Sequence, residues 1–150
     1  MMTAKERGEY AAKFYTEGRR NCAQAVLMAF ADELGEDERV LLTAGAPFGG
    51  GIGRLGEVCG TVSGLMLVLS FVRRVDTSDP RAKAALYAEE RELAEEFRSR
   101  AGSIVCRELL AARANRAEGV RGMSCPELVA LAAEIAEERI FAPLRSDNDR

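Results

Sequence analysis

Apolar residues recur along most of this chain with the three- and four-residue spacing of amphipathic helices. Residues 3 to 17 predict a first helix that ends at Gly18, and Asn21 is a suitable N-cap for a second helix. A short helix follows Gly35. A glycine-rich loop then precedes an almost wholly apolar helix from Glu57 to Arg74, which we expect to be central and buried.

The second half of the chain continues the helical pattern. Asp79 is placed to cap a long helix, which Gly102 interrupts before a further short helix begins. A polar loop at residues 114 to 122 separates that helix from the last one. Ser124 and Glu127 match a capping box at the start of the last helix.

Together these elements predict an all-α fold: a single-domain helical bundle of about five to seven helices over residues 1–150. The composition agrees, because Ala, Leu, Glu and Arg dominate, aromatic residues make up 6% and Trp is absent. A chain of 150 residues can bury a core without metal or disulfide bonds. We expect the tail at residues 143–150 to be frayed.

The charge and residue content exclude several classes of function. The net charge of -3 argues against a nucleic-acid-binding protein, which needs a basic face. The absence of His removes Ser-His and Cys-His catalysis and every His-ligated metal. The longest apolar run, Thr61 to Val72, is too short for a membrane span of about 20 residues, and the N-terminus lacks the apolar core of a signal peptide. We therefore expect a cytoplasmic protein, in which cysteines are more often reactive or metal-binding than disulfide-bonded.

The cysteines share one position in the predicted helices. Each is expected in a first turn, where unpaired N–H groups and the helix dipole favour a thiolate and lower the thiol pKa. Each also begins the buried stripe of its helix, so the thiols should point inward. The helix directions allow all of them to meet at one end of the bundle without requiring it. These candidate catalytic residues are Cys22, Cys59, Cys106 and Cys125.

Two glycine patterns surround Cys59. Residues 51 to 56 fit G-x-G-x-x-G, but a dinucleotide site also needs a preceding strand, and the neighbouring segments read as helical. The loop N–H groups could hold a phosphate or another small anion, which Arg54 could steady. Glycines four apart on the central helix predict close helix packing, within the chain or across a homodimer, or space for a ligand beside Cys59. The candidate binding residues are Gly50, Gly51, Gly53, Arg54, Gly60 and Gly64.

The segment C-G-T-V-S-G at residues 59 to 64, together with N-C-A-Q-A-V around Cys22 and the glycine loop, resembles a known family. It is the family of redox-active proteins named for their C-GCAxxG-C-C pattern, and the resemblance runs from about Asn21 to Leu128. Thr61 stands where the family motif usually has Ala. The resemblance implies a redox role for the four cysteines and names no substrate.

Three hypotheses for the function follow. In the first, the protein is a thiol–disulfide oxidoreductase without a cofactor: Cys59 attacks an oxidant or substrate disulfide and a cysteine from another helix resolves it. Its partner would be a redox protein or a small-molecule ligand. In the second, the four cysteines bind an iron–sulfur cluster or zinc. In the third, the cysteines are inert and the protein is a helical dimerisation or binding module.

Overall fold

The computed structural model describes residues 1–115 and 122–149, and its helices confirm the all-α fold predicted above. Most of the polar loop expected at residues 114 to 122 lies outside the described residues. None of the described helices is both long enough and apolar enough to cross a membrane. The helices are α1 (Ala4–Thr16), α2 (Cys22–Met28), α3 (Ala31–Leu34), α4 (Glu38–Gly45), α5 (Gly60–Arg73), α6 (Pro80–Ala101), α7 (Cys106–Asn115), α8 (Cys125–Ala136) and α9 (Ala142–Asn148).

Polar caps fix the starts of the helices that carry the candidate site. The side chain of Asn21 accepts a hydrogen bond from the Gln24 N–H at 2.9 Å and thereby caps α2. Ser124 and Glu127 form the predicted capping box at the start of α8. Asp79 caps α6, as expected. These contacts supply partners for helix N–H groups that would otherwise have none.

The central helix, α5, packs against α2 and α8 and buries Leu65, Val68 and Leu69. It begins at Gly60, three residues later than predicted, because Val58 pairs with Val105 in an isolated antiparallel bridge. The expectation that Cys59 lies in a first helical turn was therefore wrong, since Cys59 is the N-cap residue.

The glycine face of α5 is covered by α2 of the same chain. A Cβ atom at Gly64 would lie 2.9 Å from the carbonyl oxygen of Ala23 and 3.0 Å from the Cβ of Val26. Contacts that short are incompatible with a side chain, so glycine is needed here to let the two helices approach. Of the three interpretations offered for these glycines, close packing within the chain is the one that Gly64 serves.

Helix α1 packs along α8 and buries an arginine that the sequence pattern did not predict. The Arg7 side chain is 2% exposed, and it donates hydrogen bonds to the Ala29 carbonyl at 2.7 Å and to Asp32 at 3.1 Å. Its guanidinium also lies over the Phe30 ring, 4.9 Å from the centroid. A buried charge needs such partners because desolvation is otherwise very costly.

The C-terminal segment completes this group of charges. A π-helical turn, Glu137–Phe141, connects α8 to α9, and the buried Glu137 carboxylate lies 3.8 Å from Arg7 and 2.5 Å from Arg145. Arg145 also binds Glu33. The tail at residues 143–150 is expected to fray, and its residues up to Asn148 lie in helix α9. We call these five charged side chains the ion network: Arg7, Asp32, Glu33, Glu137 and Arg145.

Candidate functional site

The four cysteines line a single cavity of about 830 Å³, which we call the cysteine cavity. Cys22, Cys106 and Cys125 are the first residues of α2, α7 and α8, and Cys59 is the N-cap of α5. Four helix starts therefore meet at one end of the bundle, as the predicted helix directions allowed.

The isolated bridge holds two of these cysteines in place. The Cys59 N–H donates to the carbonyl of Ile104 at 2.7 Å, and the Cys106 N–H donates to the carbonyl of Glu57 at 2.6 Å. This backbone pairing joins the segment before α5 to the segment before α7. These hydrogen bonds position the backbone of both cysteines, which are far apart in the sequence.

The glycine-rich loop forms another wall of the cavity by an unusual left-handed turn. Five consecutive residues, 50 to 54, have positive φ, including the non-glycine residues Ile52 at 64° and Arg54 at 68°. The Glu57 N–H closes the turn by donating to the Gly51 carbonyl at 3.0 Å. A 3-10 turn, Ala46–Phe48, precedes the loop where a dinucleotide site would require a strand.

The predicted binding residues divide into two groups. Gly50, Gly53, Arg54 and Gly60 line the cavity, whereas Gly51 and Gly64 do not. A Cβ at Gly51 would lie 2.7 Å from the Cβ of Cys106, so this glycine packs behind that cysteine. Gly64 contacts α2, as described above.

Cys59 is the most enclosed of the four thiols. It is 5% exposed, and its sulfur lies 3.1 Å from the hydroxyl oxygen of Thr61. Burial raises the pKa of Cys59 to about 11, although the hydrogen bond to Thr61 acts in the opposite direction. The low pKa expected from a helix start is therefore not found here, because desolvation outweighs the favourable contacts.

Cys22 and Cys106 show the same direction of change. Burial raises the pKa of Cys22, and a hydrogen bond from the Gly50 backbone opposes this effect. Burial and the charges of Cys22 and Cys125 raise the pKa of Cys106. A negative charge on Cys22 or Cys125 therefore disfavours ionisation of Cys106, because a second negative charge nearby is costly.

Cys125 contacts a cationic side chain. It is partly exposed, and a guanidinium nitrogen of Arg113 lies 3.5 Å from its sulfur. Burial and hydrogen bonding to Cys125 raise the pKa of Tyr15, which also lines the cavity, to about 12. The sequence analysis did not name Tyr15 or Arg113 as site residues, because each is brought to the cavity only by tertiary packing, whereas Thr61 follows Cys59 by two residues and was noted there.

All four cysteines are free thiols. Within residues 1–115 and 122–149, no three cysteine or carboxylate side chains are close enough together to hold a metal ion in the present arrangement. The cavity thus presents four separate free thiols in the described arrangement.

The comparison with protein families gives one match. The model of the family described as "Putative redox-active protein (C_GCAxxG_C_C)" matches residues 20–139, which include all four cysteines and the glycine-rich loop. No curated protein and no solved structure matches the chain.

Proposed function

Because the chain belongs to the C_GCAxxG_C_C family of redox-active proteins, we propose that it reduces disulfides with a pair of thiols from the cysteine cavity. The observation that carries this proposal is that four free thiols, from four different helix starts, line one cavity. Thiols around a shared cavity can form and exchange disulfides once their Cα atoms come within about 7 Å.

Cys125 is the better candidate for the attacking thiol, in place of the Cys59 favoured by the sequence. A nucleophilic cysteine must reach its substrate and must be present as thiolate. Cys125 is partly exposed and lies beside the Arg113 guanidinium, whereas Cys59 is buried and its pKa is raised to about 11. The charge of Cys125 acts on the ionisation of both Cys22 and Cys106, and we take Cys22 as the resolving thiol because Tyr15, which hydrogen-bonds to Cys125, is also acted on by the charge of Cys22.

The proposed reaction is a balanced two-electron exchange. The Cys125 thiolate attacks one sulfur of the substrate disulfide, the substrate S–S bond breaks, and one half leaves as a thiolate. Cys22 then attacks the Cys125 sulfur of the mixed disulfide and releases the second half. The substrate disulfide is reduced to two thiols, the protein dithiol is oxidised to a Cys22–Cys125 disulfide, and the protons of the protein thiols pass to the leaving groups.

The test is a thiol count on protein purified without oxygen and treated with one equivalent of a small disulfide. We expect two of the four thiols to be lost, to return on reduction, and to map to Cys22 and Cys125 by peptide mass spectrometry. Cys125→Ser should abolish the rapid loss of thiols on treatment with the disulfide. Cys59→Ser, as the matched control, should retain this rapid loss. Four thiols that stay unreactive in the native protein would support inert cysteines and overturn the proposal.

A metal centre is the second candidate, favoured by the same convergence of four thiols on one cavity. Zinc or an iron–sulfur cluster would need the thiolates to rotate inward to metal–sulfur distances of about 2.3 Å. Metal analysis and a visible absorption spectrum on the protein purified without oxygen would test it. About one bound zinc or one cluster per chain, with the thiols masked, would replace the exchange mechanism by a ligand set.

A further inference from the structure

The charged side chains in the described lining of the cysteine cavity are all of one sign. Its described lining contains no Asp or Glu, but it includes four arginines: Arg19, Arg20, Arg54 and Arg113. The whole chain has a net charge of -3, so this local excess of positive charge is not a reflection of overall composition. A cavity lined by one sign of charge concentrates ligands of the opposite sign.

These arginines also differ from most others in the chain by their partners. None of the four has a carboxylate partner among the described residues. The arginines that do have one are Arg7, Arg73, Arg74, Arg98, Arg100, Arg107, Arg139 and Arg145. The cavity arginines therefore keep their guanidinium groups available for an anion that comes from solution.

The backbone is in a strained conformation at two of these arginines. Arg19 and Arg54 have φ values of 55° and 68°, in the left-handed region that costs a non-glycine residue about 1–2 kcal/mol. Such strain persists where surrounding structure enforces it, and it clusters at sites of binding and catalysis. Here the two strained residues line the same cavity from two different segments. Arg19 lies before α2, and Arg54 lies before α5.

Depth separates the charges from the sulfur atoms. The four arginines are exposed at the mouth, while the buried Cys59 and the apolar side chains of Leu109 and Leu128 lie inside. A volume of about 830 Å³ is in the range of small-molecule sites, roughly 300–1,000 Å³. A ligand that fits has an apolar or sulfur-containing body and negatively charged ends.

We propose that the cysteine cavity takes small disulfides that carry at least two carboxylates, with the arginines at the mouth binding the carboxylates while Cys125 attacks the S–S bond. This inference rests on the thiol–disulfide function proposed above and adds the chemical class of the substrate. Carboxylates suit guanidinium groups because the two can form paired charge-assisted hydrogen bonds.

The test compares two small aromatic disulfides that differ mainly in charge. One is the dianion 5,5′-dithiobis(2-nitrobenzoate), and the other is the neutral 4,4′-dithiodipyridine. Stopped-flow absorbance gives the second-order rate constant of the reduced protein with each, and the same protein unfolded in urea gives the ratio for unstructured thiols. We expect the native ratio, anionic over neutral, to exceed the unfolded ratio at least about tenfold at low ionic strength, as several screened charge contacts would produce.

Variants at the strained arginines identify the source of that preference. The double substitution R19Q/R54Q should lower the native ratio by about three- to tenfold, and R19K/R54K should restore much of it. The matched control is R81Q, at the far end of α6, which removes an exposed arginine that does not line the cavity. It should leave the ratio unchanged.

The outcomes separate this inference from the function on which it rests. If neither probe reacts with the native thiols, the thiol–disulfide function fails. If both react but the native ratio equals the unfolded ratio and R19Q/R54Q leaves it unchanged, the substrate class is wrong and the dithiol function stands. An unreactive dicarboxylate such as phthalate should slow the anionic probe more than chloride of equal ionic strength does, and equal slowing would also count against the inference.

Discussion

The arginines at the two ends of α2 and α8 differ in burial and in their ionic partners. Where these helices end, Arg7 is buried, hydrogen-bonded and surrounded by carboxylates of the ion network. Where they begin, the arginines of the cysteine cavity are exposed, and the described residues that line this cavity include no carboxylate. The comparison is consistent with the proposal that the cavity end binds a ligand, while the ion network at the other end stabilises the fold.

Energetics explains why the two ends differ. In the ion network, Arg7 and Glu137 are buried beside fixed partners of opposite charge, so removing one partner leaves a buried charge uncompensated. At the cavity mouth, an arginine can be removed with little effect on folding because water replaces its contacts. Substitutions at the two ends should therefore separate stability from ligand recognition.

The largest effect is expected for Arg7→Met. It removes the hydrogen bonds to Ala29 and Asp32 and leaves Glu137 with one cationic partner, Arg145. We expect the free energy of unfolding to fall by about 3–5 kcal/mol, measured by urea denaturation. The corresponding change at the other end, Arg54→Met, should alter it by less than about 0.5 kcal/mol. Equal losses for the two variants would remove the distinction drawn between the ends.

A smaller, pH-dependent effect is expected from Cys59. Its pKa is about 11 in the folded protein against an ordinary value of 9.0, so the folded state holds the thiol neutral where the unfolded chain ionises it. A raised folded pKa contributes stability that is complete below pH 9 and is lost as the pH rises towards 11. Between about pH 8 and pH 10.5, this loss amounts to about 2 kcal/mol.

Urea denaturation under reducing conditions at these two pH values checks this prediction. Cys59→Ser is the matched control, because serine can keep a hydrogen bond to Thr61 and does not titrate in this range. The wild-type protein should lose about 2 kcal/mol more than the variant over the interval. Parallel losses in the two proteins would mean that Cys59 ionises equally in the folded and unfolded states.

The sequence predicted the helical framework because its determinants are local. The caps at Asn21, Asp79 and Ser124 are each encoded within a few residues, and the structure confirms them. The start of α5 was placed too early because the bridge between Val58 and Val105 depends on two segments far apart in the chain. Local pattern alone favoured a helix there.

The chemistry of the site was less predictable than its residues. The four cysteines could be named from the sequence, but the direction of their pKa shifts depends on burial by several helices. Of the four cavity arginines, only Arg54 was identified, since the others come from separate segments that tertiary packing brings together. Arg7 was missed for a different reason, because a charged residue in an amphipathic helix is ordinarily interpreted as exposed.

The smallest expected effect concerns the strain at the cavity end. Ile52 is β-branched and partly exposed, yet it adopts a φ of 64°, a conformation that asparagine tolerates better. We expect Ile52→Asn to raise the free energy of unfolding by about 1 kcal/mol, since the strained backbone is relieved while its path is kept. Val40→Asn is the control, because Val40 is a similarly exposed apolar residue in the helical backbone of α4, and it should change stability by less than about 0.5 kcal/mol. If Ile52→Asn is neutral or destabilising, the left-handed turn does not cost folding free energy at Ile52. Backbone strain would then no longer distinguish the cavity end from the end that carries the ion network.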